Sequence, residues 1–100
     1  FILGADGALI GFGSVFTGLQ ADAINLAISG QYNQAIEKFA PINELCDFCF
    51  SSPVRDYRIR MKHVLVKQGI FRHAYVHQPL LDIDENEKQL LSKILDRISL

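Results

Sequence analysis

Gly4-Ala5-Asp6-Gly7-Ala8-Leu9-Ile10-Gly11-Phe12-Gly13-Ser14 packs a tight turn, a short apolar run and a glycine-rich exit loop into one segment. Ala8-Leu9-Ile10 has neither a polar residue nor an alternation of polar and apolar side chains. That pattern fits a strand covered on both faces, as in a parallel sheet wrapped by helices. No second run of the same kind occurs in the 100 residues. A single strand leaves its N–H and C=O groups without ladder partners, and burying such groups unpaired costs about 1–3 kcal/mol each. The partners of this strand are therefore expected to lie outside the sequence.

Upstream, Phe1-Ile2-Leu3 is apolar from the first residue and is followed by Gly4, as a helix is followed by its C′ glycine. We read it as the tail of a preceding helix. It is too short for a signal h-region, and no later run reaches the roughly 18 apolar residues of a spanning helix.

Downstream the pattern is helical. Leu19, Ala23, Leu26 and Ala27, with Ile24 and Ile28 beside them, predict a helix over about Phe16–Ser29, stopped by Gly30 in the C′ position. Tyr32, Ile36, Phe39, Ile42, Leu45 and Cys49 predict a second over about Tyr32–Phe50, kinked near Ala40 because Pro41 removes one backbone bond and clashes with the turn before it. A third is expected from Pro53, with Ser52 as N-cap, to Gln68, before Gly69. It buries Val54, Tyr57, Met61, Val64 and Leu65 and carries Arg55, Arg58, Arg60, Lys62 and Lys67 round the rest of its circumference, with Arg55 and Lys62 the expected partners of internal pairs. Ile70–Leu81 has no period, and Pro79 disfavours a helical Gln78, so an extended arm is expected there. Asp84 with Glu87 opens a last helix whose Leu90, Leu91, Ile94, Leu95 and Ile98 form one stripe.

Four segments together, Gly4–Gly11, then Gly30-Gln31-Tyr32-Asn33-Gln34-Ala35, then Pro53-Val54-Arg55, and last Gln78-Pro79-Leu80-Leu81, resemble in order and spacing the C-terminal third of the dihydrodipicolinate synthase/N-acetylneuraminate lyase family. The resemblance implies an α/β fold: the C-terminal fragment of a (β/α)8 barrel, itself mostly α. Residues 1 to about 30 would supply the eighth strand and its helix, and about 31–100 an appended helical region of the same domain. It also implies a lyase that forms a lysine Schiff base with pyruvate or another 2-keto acid, and makes or breaks a carbon–carbon bond or dehydrates a sugar acid, with no cofactor and no metal. The lysine, the proton-relaying tyrosine and the carboxylate-binding loop belong to earlier strands in that family, so no catalytic residue is expected here. Lys38, Lys62 and Lys67 fall on expected surface helices and do not match the Schiff-base lysine. What maps onto this chain is substrate-bordering main chain at Leu9, with Ile10 and Gly11 adjoining. Relatives are often dimers or tetramers, which makes a homo-oligomer the expectation. Asp82 departs from the family pattern, where a second proline is common.

Composition adds bounds of its own. Lys plus Arg number 10 against 11 acidic residues, a balance that gives no reason to expect nucleic acid or an anionic membrane as partner. Two cysteines one helical turn apart, without a disulfide framework, fit a reducing, cytoplasmic setting.

Other chemistries fail on spacing. Gly11 and Gly13 suggest a dinucleotide loop, but that fingerprint needs a small residue where Phe16 stands, and an acidic residue closing a second strand. Cys46 and Cys49 lack the two further ligands of a zinc site and the βαβ setting of a redox pair, so they read as core. Asp82-Ile83-Asp84-Glu85-Asn86 opens like a calcium loop but has Glu87 at its sixth position and Lys93 at its twelfth; a turn and helix cap accounts for it. His63, His73 and His77 show no nucleophile or carboxylate in a catalytic arrangement and read as surface or interface residues. The basic residues of the third helix are interleaved with Asp56 and read as a solvated face. The rival to the lyase reading is a self-contained all-α interaction module.

Overall fold

The computed structural model describes residues 1–98. Its regular elements are helical: α1 Thr17–Ile28, α2 Tyr32–Phe39, α3 Asn43–Cys49, α4 Tyr57–Lys67 and α5 Glu85–Arg97, with short 3-10 turns at Gly11–Ser14, Ala40–Ile42 and Val54–Asp56. The chain divides into two compact units, the first Phe1–Asn43 and the second from Glu44 onward. A mostly helical chain is what the periodicities predict.

The strand expected at Ala8–Ile10 does not form among the described residues. Residues 5–10 carry no regular secondary structure. Ile10 is nonetheless extended, at φ −130° and ψ 138°, and what is missing is a ladder partner. Local conformation can be extended without one, but a strand as such needs a second chain segment.

In the first unit α1 and α2 pack on each other across a short connection. The connection is set by Gly30 at φ +81°. The Gly30 N–H bonds the Ala27 carbonyl and the Gln31 N–H bonds that of Leu26, which together satisfy the last carbonyls of α1. Gly69, at φ +75°, closes α4 in the same way through Gly69 N–H to Val66 and Ile70 N–H to Leu65. The expected kink is present as the 3-10 turn Ala40–Ile42, with Pro41 inside it. Consequently the single second helix expected from the periodicity is divided into α2 and α3.

In the second unit Leu45, Phe48, Cys49, Ile59, Met61, Val64, Leu65, Ile83, Leu91 and Ile94 are buried. Asp84 caps α5 as expected, its carboxylate accepting from the Glu87 N–H at 2.8 Å. Leu91 and Ile94 are buried from the α5 stripe, whereas Leu90 stays exposed.

The start of α4 differs from expectation. Pro53 is extended at ψ 126° and precedes a 3-10 turn, with no side-chain cap from Ser52, so Pro53 does not occupy the first helical position and the α-helix starts at Tyr57. Val54 is exposed rather than buried. Arg60, expected on the solvent-facing circumference, is instead 1 % exposed. Its guanidinium donates to the carbonyls of Ser51 at 2.7 Å and Cys49 at 3.2 Å, with Ser52 and Pro53 at 3.4 Å. Nε and Nη2 reach Glu87 Oε1 at 3.0 and 2.9 Å. A planar group with five donors can tie a loop and two helices together. That is why an arginine stands in the core here.

Candidate functional site

The residues expected to border a substrate, Leu9, Ile10 and Gly11, sit where the extended segment enters the 3-10 turn Gly11–Ser14. Ala8 and Ile10 line an apolar groove of about 370 Å³ formed with Phe1 and with residues of α1 and α2, among them Ala23, Ala27 and Ile36. Leu9, between them, is fully exposed. Successive side chains of extended backbone point to opposite faces, and about Ile10, 48 % exposed, this segment borders the groove on one side and carries Leu9 on the other with nothing over it among the described residues. No backbone hydrogen bond reaches Ala8 or Leu9 from those residues; the Ile10 carbonyl accepts from the Gly13 N–H at 3.2 Å.

The exit loop is held by Gln20. This side chain is buried, and its Nε2 donates to the carbonyls of Val15 at 2.6 Å and Phe12 at 2.9 Å. Two carbonyl partners on one terminal atom fix the amide orientation, since the reverse would set oxygen against oxygen. Oε1 then has no hydrogen-bond partner among the described residues. Glutamine in the predicted apolar face of α1 gave no sequence signal for this role beyond its place one turn after Phe16. Phe16 itself adopts a left-handed conformation, φ 48° and ψ 40°, at the N-cap of α1. A bulky residue there is unusual, and it redirects the chain from loop to helix at the position where a dinucleotide loop has a small residue. Adding a Cβ at Gly13 meets only Ile10 Cγ1 at 3.7 Å, an ordinary contact, so nothing in the described residues presses on that glycine.

A second cluster of polar groups lies in the second unit. His63 on α4 and Asp82 in the arm approach at 2.6 Å, Nε2 to Oδ1, and Lys88 on α5 reaches the other oxygen, Oδ2, at 3.1 Å. Asp82 Oδ1 also accepts from the Ile83 N–H at 2.8 Å. Burial pushes the Asp82 carboxyl up, but the bonds from His63 and Lys88, the charge of His63 and the Ile83 N–H outweigh it and hold the group below the usual carboxylate range. No periodicity in the sequence pairs His63 with a carboxylate, because the partner is 19 residues away across irregular chain. His73 instead stacks at an angle on Tyr75, ring centres 5.5 Å apart.

Lys62, expected to pair internally, donates to the Tyr75 carbonyl. Arg55 lies 4.0 Å from Asp56 and is largely exposed. Lys38 pairs with Asp22 at 3.4 Å on the surface of the first unit. Cys49 is buried and Cys46 half-buried, both as free thiols. Among the described residues no three His, Cys, Asp or Glu side chains are grouped to hold a metal ion, and no helix is long and apolar enough to cross a membrane. No protein-family model matches the chain, and neither a curated protein nor a solved structure does.

Proposed function

We propose that these residues are the C-terminal part of a lyase resembling the dihydrodipicolinate synthase/N-acetylneuraminate lyase family, acting on pyruvate or a related 2-keto acid through a lysine Schiff base. The observation that carries the reading is the two-faced extended segment Ala8–Ile10. Ala8 and Ile10, though partly open to solvent, border the groove over α1 and α2, the side a barrel strand gives to its outer helices, while Leu9 is fully exposed and has no backbone partner among the described residues. On this reading Leu9 faces the barrel interior, and neighbouring strands saturate its main chain. Exposed Ile2, Leu3, Ile28, Tyr32 and Ile36, all in the same unit, fit a surface covered by further barrel elements.

The lysine that attacks the keto carbonyl lies on an earlier strand. Its amine adds to the carbonyl, water leaves, and the iminium draws electrons from the neighbouring carbon–carbon or carbon–hydrogen bond. This segment supplies last-strand backbone beside the bound acid and helices that brace the barrel, in a cytoplasmic homo-oligomer. The test is borohydride reduction of the complete protein in the presence of pyruvate, followed by peptide mapping. A reduced pyruvyl adduct is expected on one lysine outside these residues. No adduct, or one on Lys38, Lys62, Lys67, Lys88 or Lys93, overturns the proposal.

The helical character of the described residues favours one competing reading, an all-α interaction module. That module predicts a sharp cooperative melt for residues 1–100 alone, whereas a barrel fragment exposes a strand edge and apolar helix faces and should melt without cooperativity or aggregate.

A further inference from the structure

The groove between α4 and α5 has an electrostatic character that the lyase reading does not use. It has a volume of about 510 Å³ and is lined by His63 and Lys67 from α4 and by Glu85, Lys88, Gln89, Leu91, Ser92 and Lys93 from α5. Helical spacing builds it. His63 and Lys67 are one turn apart on α4; Lys88 and Ser92 are one turn apart on α5, with Gln89 and Lys93 as the adjacent row. Leu91, 1 % exposed, closes the floor.

Three lysines line the groove, against Glu85 in its lining and Asp82 at its rim. Lys88 is neutralised by Asp82 at the rim. Lys67, Lys93, the Ser92 hydroxyl and the Gln89 amide make no hydrogen bond or ion pair with any described residue. Like charges brought to one concavity repel unless an anion joins them. At the rim, two of the lining cationic side chains, His63 and Lys88, hold the Asp82 carboxylate by one oxygen each. Beyond that carboxylate the cationic lining continues to Lys67 and Lys93, and a hydroxyl donor stands beside them.

We propose that this groove binds a small tetrahedral oxyanion, a phosphate or phosphate monoester, held by Lys67, Lys93 and Ser92 with Lys88 shared with Asp82. Lysine ammonium groups are point charges with rotatable donors, which suit oxygens spread in three dimensions; the flat fork that matches a carboxylate is arginine's, and no arginine lines the groove. The space accommodates a phosphate with a small organic group attached. Nothing in this site depends on the barrel reading.

The test is a titration of the protein with sodium phosphate and with phenyl phosphate, each against sodium chloride at matched ionic strength, followed by amide NMR. Saturable shifts centred on Lys67, Ser92 and Lys93 are expected with both phosphates and not with chloride. Lys67→Gln combined with Lys93→Gln should weaken binding about tenfold, and Glu85→Gln should strengthen it about two- to threefold, a change of sign that lost folding does not produce. Shifts that fail to saturate or match those in chloride overturn the proposal, as does unchanged affinity in the double variant. Binding to vesicles containing phosphatidic acid without any response to soluble phosphate overturns it also, because the site is then a membrane contact.

Discussion

Arg60 and Glu87, 27 residues apart, meet through two nitrogens on one carboxylate oxygen, at 3.0 and 2.9 Å. The arginine side chain is almost wholly out of water, while the glutamate keeps 30 % of its exposure. The pair joins α4 to the first turn of α5, and the remaining guanidinium donors hold the loop that leads into α4.

Removing the arginine leaves four carbonyls short of a donor and a half-buried carboxylate without its cation. Arg60→Ala should therefore destabilise the protein by about 3–5 kcal/mol. Arg60→Lys keeps the charge but loses the fork, and should cost about 1–3 kcal/mol. Glu87→Gln should cost less than Arg60→Ala, because the guanidinium retains its carbonyl partners. Urea unfolding midpoints check the order; equal losses for Arg60→Ala and a surface control such as Arg58→Ala would show that the buried network contributes nothing.

The arm is pinned by Asp82, and the direction of its titration gives a pH dependence. A carboxyl held low in the folded state stabilises above its unfolded value, near pH 4, and the contribution is lost as pH falls through the folded value. Between pH 7 and pH 5 the contact with His63 and Lys88 should hold the arm, and below about pH 4 the arm should loosen. Amide exchange at Ile83 measured from pH 7 to pH 3, corrected for intrinsic rates, should show protection falling at the acid end. In Asp82→Asn the acid step should disappear.

Gly69 and Gly30 stop α4 and α1 in left-handed conformations, and a Cβ at either would meet open space. The whole penalty of substitution is then backbone strain. Gly69→Ala should cost about 1–2 kcal/mol, with Gly69→Asn closer to wild type, since asparagine visits this region more readily. Thermal melts of the two variants check the difference, and an alanine as stable as glycine contradicts the assigned geometry.

Burial first, then the neighbouring Cys46, push the Cys49 thiol up to about 12, against a smaller opposing pull from Arg60. Burial and the Asp47 carboxylate raise Cys46 as well. Thiolate is the reacting form, so both should alkylate slowly with iodoacetamide at pH 8, Cys46 ahead of Cys49. Mass spectrometry of timed samples gives the order, and Cys49 should label only as fast as the chain opens.

Much of the helical layout is legible in the residues. Repeats of three and four mark the helices, Gly30 and Gly69 mark two ends, Pro41 marks the break, and Asp84 with Glu87 marks a beginning. These signals are local, each spanning a turn or so. The misreadings occur where the deciding partner is distant. Charge alone puts Arg60 on the solvent side, yet it stands four residues before Val64, within the buried stripe, and that register is the sign of its burial. Its partners at Cys49, Ser51 and Glu87 depend on a loop path that no periodicity encodes. His63 and Asp82 are the same case across the arm. At Ala8–Ile10 an apolar run indicates an extended backbone, as Ile10 adopts, and a strand needs, in addition, a paired neighbour, which none of the described residues forms.

The guanidinium of Arg60 grips main-chain oxygens, which every amino acid supplies alike. Ser51 and Ser52 can thus be exchanged for other residues without disturbing that grip, whereas the arginine has no substitute. Among homologues, the loop should drift in spelling while position 60 stays fixed.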